Sequence, residues 1–407
     1  MNGIKRYIRM FHPIVWTLLA GTIFARGASF MTMPFLAIYL SQNLDMHPIL
    51  IGITIGISPL TGTIGGFIGG HLSDRLGRKP IMIIALFIWS GVFFAFSMAS
   101  VPVAFILLNA LNGLCRSFFE PTSQALISDL TPRENRMRAF SLRYTAINIG
   151  AAIGPLLGAY FATKSADLTF LITGTMYLLY ATMLFLQMNK HLPSSVTGST
   201  NRKNNTMSIK AVFHVIRKDR MLLMLILGTI LVNAGYSQVE SNLPQYLKDT
   251  FTKGVYLYSI LVSLNAIMVI ILQMPISHYT ERFKPMHLMV SGALFMGIGL
   301  FGFGFFDAWS GLFVSMGFLT IGEILIFPSN SLVIDQLAEE GMRGAYFGAS
   351  QFRSLGSFFG PIAGGYLLTE IGGPFMFTSI SLLVLVSTLF FYKGSSMTIS
   401  KNATIKA

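Results

Sequence analysis

Apolar runs of about twenty residues, separated by short polar stretches, recur along the whole chain, and that length is what a helix needs to cross a bilayer. Twelve runs can be delimited: about 13–40, 49–70, 80–100, 102–126, 138–162 and 167–188 in the first half, then about 221–247, 255–278, 286–305, 309–335, 344–369 and 373–392. Between the halves, 189–220 is polar and holds Pro193, Ser194, Ser195, Asn201, Arg202, Lys203, Asn204 and Asn205. That is linker composition, with a short amphipathic helix expected from about Ile209. The pattern predicts an all-α membrane protein of twelve transmembrane helices: a six-helix bundle over 1–188, a linker over 189–220, and a second six-helix bundle with a short tail over 221–407.

Composition agrees with this. Hydrophobic residues make up 53% of the 407 positions and charged ones 11%, against about 25% charged in an average soluble domain. A net charge of +13 would suggest nucleic acid in a soluble chain, but here the basic residues fall between apolar runs, where they set orientation. The single cysteine, Cys115, excludes an intramolecular disulfide and a cysteine metal cluster. The first apolar run is too long for a signal-peptide core and follows Lys5, Arg6 and Arg9, so it reads as the first span. No metal-ligand spacing, nucleophile motif or phosphate loop stands out, so neither an enzyme nor a cofactor is expected.

The two halves repeat at an offset of about 206 residues. Gly154-Pro155-x-x-Gly158 returns as Gly360-Pro361-x-x-Gly364, Pro121 and Asp129 as Pro328 and Asp335, and Arg75 and Pro80 as Arg282 and Pro285. Duplication of this kind is a property of transporter folds, whose sites lie near the midplane where the repeats meet. The bundles are therefore expected to be pseudo-symmetric.

Two motifs carry a resemblance. The stretch Gly70-His71-Leu72-Ser73-Asp74-Arg75-Leu76-Gly77-Arg78-Lys79-Pro80 reads as a tight charged turn that returns the chain to the same membrane face. It is similar to the loop between spans 2 and 3 of the major facilitator superfamily, with Gly70, Asp74, Arg75, Gly77, Arg78 and Lys79 all matching. The fifth run carries Gly150-x-x-x-Gly154-Pro155-x-x-Gly158, small residues four apart with a proline between them, which predicts a close, kinked helix seam. It resembles the motif of the antiporters in that superfamily, Ala159 standing where they usually have glycine, and Gly356, Gly360, Pro361 and Gly364 repeat it. The resemblance implies the major facilitator fold, a multi-pass protein of a bacterial cell membrane, and a monomer. It also implies a relay of Asp74, Arg78 and Asp129 that locks the outward-open state.

Charges inside the runs are the sharpest chemical signals, since an arginine or aspartate at a helix centre costs on the order of 2.5–3.5 kcal/mol on insertion scales. Arg26, Arg116, Glu120, Glu240 and Glu323 lie in runs 1, 4, 7 and 10, the helices that line the cavity in the family. Arg116 and Glu120, four apart, can pair, either as a structural brace or as part of a site. Glu323 has no helical cation three or four residues away and is the first candidate for the coupled proton, Glu120 the second. Arg143 and Arg353 are expected to serve Asp129, Asp335 or backbone carbonyls. The family's usual arginine in span 4 aligns with Asn109, so either Arg116 takes over that role or proton coupling is arranged differently.

The resemblance implies a proton-coupled exporter of small amphipathic molecules or drugs, working by alternating access, with protons, a small-molecule substrate and lipid as partners. An exporter of a defined metabolite such as a siderophore, sugar or amino acid shares these features, and a transport-dead sensor is disfavoured by the intact motifs. The 35 Phe, 23 Met and 14 Tyr offer soft surface for a broad pocket, although most such side chains in a membrane protein meet lipid.

With the termini, the 189–220 linker and the Gly77 turn placed inside, the opposite side keeps only Lys164, Lys248 and Lys253 among the loop cations, the asymmetry expected of cytoplasmic termini. A single cysteine introduced at position 203 should therefore react with an impermeant maleimide only in inverted vesicles. Strong labelling from outside intact cells would reverse the topology.

Overall fold

The computed structural model describes residues 10–44, 46, 48–162, 166–192, 217–338 and 341–404. Most of the expected linker, 193–216, and with it the amphipathic helix expected from Ile209, lies outside the described residues. The described chain is helical, without a strand. In the first half α1 is Pro13–Leu44, α2 Pro48–Leu76, α3 Arg78–Met98, α4 Pro102–Asp129, α5 Arg136–Ala162 and α6 Ala166–His191. In the second, α7 is Arg220–Tyr236, α8 Gln238–Ser241, α9 Leu243–Thr250, α10 Gly254–Thr280, α11 Pro285–Phe305, α12 Trp309–Leu337, α13 Arg343–Ala349, α14 Ser354–Glu370 and α15 Gly373–Thr404.

These helices occupy the twelve apolar runs. Among the described residues nine are long and apolar enough to cross a membrane, or ten if Ile53–Thr63 and Ile68–Leu76, bent by 44°, form one span. The helices outlast the runs because hydropathy stops at the first charge, whereas backbone hydrogen bonding continues into the interface. Thus α6 reaches His191, and α2 runs through His71, Ser73, Asp74 and Arg75 to Leu76. The expected ten-residue turn is therefore mostly helix. Reversal is confined to Gly77, at φ 94° and ψ 156°, a region essentially reserved for glycine.

Two runs expected to be continuous are broken. In run 7, Pro244 lacks the N–H that would reach back to Glu240, and the helix divides at Ser237 and Asn242 into α7, α8 and α9. In run 11, Gly348 precedes and Ser350 opens a 3-10 turn at Ser350–Arg353 that separates α13 from α14, both being weak helix formers.

The chain forms two compact units. One comprises Met1–Val212 and Ala338–Gln351, the other Phe213–Leu337 and Phe352–Ala407. Short α13, though late in sequence, thus packs on α2 and α4 of the first unit. Inside each unit the pairing is the same: α1 on α5, α2 on α4 and α3 on α6 correspond to α7 on α14, α10 on α12 and α11 on α15. The repeat in sequence is a repeat in packing.

Each unit has an aromatic core between its outer helices. Tyr177 stacks on Phe93 at 5.4 Å and lies 4.6 Å from Trp89, all ring centroid distances, while Phe377 meets Tyr246 and Phe303 at 5.3 and 5.8 Å. Outward-facing aliphatic side chains such as Leu107, Leu179, Ile271 and Leu389 remain exposed, as expected of surface that meets lipid.

A Cβ at position 77 must occupy a glycine-only conformation, so Gly77→Ala should destabilise the protein by about 1–3 kcal/mol. Thermal unfolding in detergent should show a midpoint several degrees lower. An unchanged midpoint would mean that the turn relaxes into an ordinary conformation.

Candidate functional site

Polar groups gather in three places, and the first is the end of α2. The carboxylate of Asp74 accepts from Arg78 Nη1 at 2.5 Å and from the backbone N–H groups of Gly344 and Ala345 at 2.9 and 2.7 Å. Those two amides belong to the first turn of α13, whose donors have no intrahelical acceptor. Arg78 also donates to Ser73 Oγ at 2.8 Å and to Asp129 Oδ2 at 3.1 Å, and Asp129 Oδ1 accepts from Arg343 Nη1 at 2.6 Å. Asp74, Arg78 and Asp129 thus form one hydrogen-bonded chain. Gly70 and Gly344 allow it, because a Cβ at either would strike the other's carbonyl oxygen. Lys79 turns aside to Asn189 at 2.6 Å and Phe185.

In the duplicated turn, Glu281–Pro285, Arg282 stacks on Tyr279 with its guanidinium carbon 4.2 Å from the ring centre.

The second place is the interior of the first unit, and a glycine seam makes it possible. A Cβ at Gly150 would lie 2.7 Å from Arg26 Cβ and 2.8 Å from Gly27 N, and one at Gly154 would lie 2.6 Å from Gly27 O. Thus α5 lies backbone to backbone on α1, with Pro155 in the same helix and Gly158 buried further along it. Gly356, Gly360 and Gly364 hold α14 against α7 and α8 in the same way, the last two meeting Ala234, Ser237, Gln238 and Asn242. Asn242 Nδ2 donates to the carbonyl of Pro361 at 3.2 Å.

At the first seam Glu120 of α4 accepts from Arg26 Nη2 at 2.5 Å and, through its other oxygen, from Arg143 Nη2 of α5. Arg143 lies seven residues before Gly150 and so on the same face of α5. The expected roles change accordingly. Arg143 serves Glu120, not Asp129 or Asp335; Asp129 is taken by Arg78 and Arg343 instead. Arg116 is exposed and makes no hydrogen bond or ion pair with any described residue. The reason is reach: Arg26 and Arg143 approach Glu120 from neighbouring helices and occupy both its oxygens.

Asn109, where the family's arginine is absent, donates to the carbonyl of Thr54 at 2.5 Å and accepts from Asn112 at 2.8 Å, and Asn112 accepts from Trp89 Nε1 at 2.6 Å.

The third place is the interior of the second unit. Glu323 of α12 is fully buried. Tyr236 Oη of α7 donates to its Oε1 at 2.9 Å, and Asn265 Nδ2 of α10 to its Oε2 at 2.6 Å, the same amide reaching Thr320 Oγ1 at 2.9 Å. Glu240 is exposed on α8.

Sequence reading missed Tyr236, Asn265, Thr320 and Arg343. Asn265 carried a usable signal, an amide in the middle of an apolar run. The others did not: a tyrosine or threonine in a span is ordinary, and Arg343 looks like any interfacial cation. Among the described residues no group of His, Cys, Asp and Glu side chains could hold a metal ion.

Two six-helix units with the same internal pairing, each enclosing charged side chains, define a polytopic membrane protein built by duplication. The chain belongs to the Major Facilitator Superfamily, whose sequence profile matches residues 18–354. It is 38% identical over 399 residues to the uncharacterized MFS-type transporter YqjV of Bacillus subtilis, covering 96% of both chains. It is 27% identical over 372 residues to a Na(+), Li(+), K(+)/H(+) antiporter of Planococcus maritimus, covering 85% of this chain and 87% of that one. In fold it is similar to the proton:xylose symporter XylE, with a TM-score of 0.70 at 19% identity over 93% of this chain and 94% of that one. The protein is thus a membrane transporter of small molecules.

Asp74→Asn removes the charge from three hydrogen bonds that tie α2 to α3 and α13, each charge-assisted bond contributing about 1.5–3 kcal/mol. Transport should slow roughly tenfold or more while substrate affinity changes by less than about twofold, since the interior clusters are untouched. Rate measurements in proteoliposomes beside equilibrium binding make the comparison. Equal loss of both would remove the turn from gating.

Proposed function

We propose that the protein is a proton-coupled antiporter of the cell membrane that exports small amphipathic molecules by alternating access. The observation that carries this reading is the setting of Glu323. An ionisable side chain within a membrane helix marks an ion or proton path. The donors seen on Glu323 are neutral and suit both protonation states. Asn265 can donate to Oε2 throughout. The Tyr236 hydroxyl can donate to ionised Oε1 or, by rotating, accept from protonated Oε1. Proton uptake therefore needs no rebuilding of the site.

In the cycle, outward opening hydrates Glu323 and admits a proton. Inward opening exposes the interior to the cytoplasm, where uptake of substrate and release of the proton go together. The halves 1–188 and 221–407 alternate about the 189–220 linker, with termini, linker and Gly77 turn in the cytoplasm. Asp74, Arg78 and Asp129 hold the outward-open state through α13, with Gly70, Arg75, Gly77 and Lys79 shaping the turn. The glycine seams keep each half rigid. The Planococcus maritimus relative supports proton exchange as the mode and leaves the cargo open.

In proteoliposomes carrying Glu323→Gln, a quinolone such as norfloxacin should exchange downhill but not accumulate against its gradient, and proton release on adding it should shrink. If the Gln variant still drives uphill transport at the parent rate under a pH gradient, Glu323 is not the coupling group.

A further inference from the structure

Charge does not balance inside the first unit. Three guanidiniums, Arg26, Arg116 and Arg143, stand on adjoining helices with the single carboxylate of Glu120 among them, and Arg26 and Arg143 occupy both of its oxygens. The other described carboxylates of α1 to α6 are committed elsewhere: Asp74 and Asp129 to Arg78 and Arg343, and Asp167 to the hydroxyl of Tyr39 at 3.0 Å. The group carries a net charge of about +2 in a medium that penalises each unit of it.

The position of Arg116 tells which way its charge faces. Asn109, Asn112, Arg116 and Glu120 follow one another at three- and four-residue spacing and make one polar stripe on α4. Leu107, 65% exposed, lies nine residues from Arg116, about two and a half turns away and on the opposite side of the helix. Exposure of Arg116 is therefore on the polar face, not on the face presented to lipid. A guanidinium there offers a planar fork of donors matched to a carboxylate or sulfonate. Both oxygens of Glu120 already accept from Arg26 and Arg143.

We infer that the cargo is an amphipathic organic acid whose anionic group is received by Arg116. The inference rests on reading the chain as a transporter whose cargo enters the membrane interior, and it names the chemical class of that cargo. It assigns distinct tasks to the two units, anion capture by Arg116 in the first and proton exchange by Glu323 in the second. Outward movement of an anion against inward movement of a proton carries positive charge inward with both, so a negative-inside potential accelerates export.

The test is equilibrium binding to the full-length protein in detergent, by calorimetry, with three ligands that share one ring system: 2-naphthoate, 2-naphthylmethanol and 2-naphthylmethylammonium. The naphthoate should bind tightest. Arg116→Gln should weaken it about tenfold or more, and Arg116→Lys should recover part of that loss, since the charge remains and the fork does not. The ammonium ligand should bind no worse to Arg116→Gln than to the parent. Tighter binding of the ammonium than of the naphthoate to the parent, absence of naphthoate binding, or unchanged naphthoate affinity in Arg116→Gln would each overturn the inference. If Arg116→Gln does not fold, equal naphthoate affinity in Arg116→Lys and the parent would do the same. Binding at equilibrium does not require coupling, so uphill transport by Glu323→Gln together with Arg116-dependent naphthoate binding would sink proton coupling and leave the anion site standing.

Discussion

The close approach of α1 and α5 is the constraint from which the interior chemistry of the first unit follows. With no side chain at Gly150 and Gly154, the two backbones meet where Gly27 and Arg26 pass. Only at that separation can guanidiniums from both helices reach one carboxylate on α4. A methyl group in the seam would push the helices apart and pull Arg26 and Arg143 off Glu120, leaving buried charges without compensation, which is far more costly than the lost packing itself. The glycines and the charges are therefore one device, although they lie on three helices and are separated by more than a hundred residues of sequence.

Much of this was legible in the chain itself. Span positions followed from hydropathy, the duplication from recurring glycine-proline motifs, and the approximation of Asp74, Arg78 and Asp129 from a familiar turn. What could not be read was partnership. Spacing of four residues suggested Arg116 with Glu120, but helical neighbours compete with groups on adjacent helices, and two of those were better placed. The same limit applied to Arg143, expected on Asp129, Asp335 or a backbone carbonyl and found on Glu120. The extent of the charged turn was misjudged for another reason: polarity marks where lipid ends, whereas helix ends are set by backbone geometry, here at Gly77.

Duplication gave two units with one packing scheme, and their polar interiors have since diverged. The first unit holds arginines around a glutamate on α4; the second holds a glutamate on α12 with a tyrosine and an amide. The turns have diverged as well: the second glycine and the second arginine of the first copy are missing from Glu281–Pro285.

The contact between Asp74 and α13 has a consequence for how the protein can change. Two of its three donors are main-chain amides of Gly344 and Ala345, present whatever side chain the genetic code supplies there, proline excepted. Variation on the α13 side is therefore nearly silent for these two bonds, apart from the steric demand at Gly344. Selection can adjust these two bonds almost solely through the carboxylate, so one side of the contact is open to tuning and the other is written into the backbone.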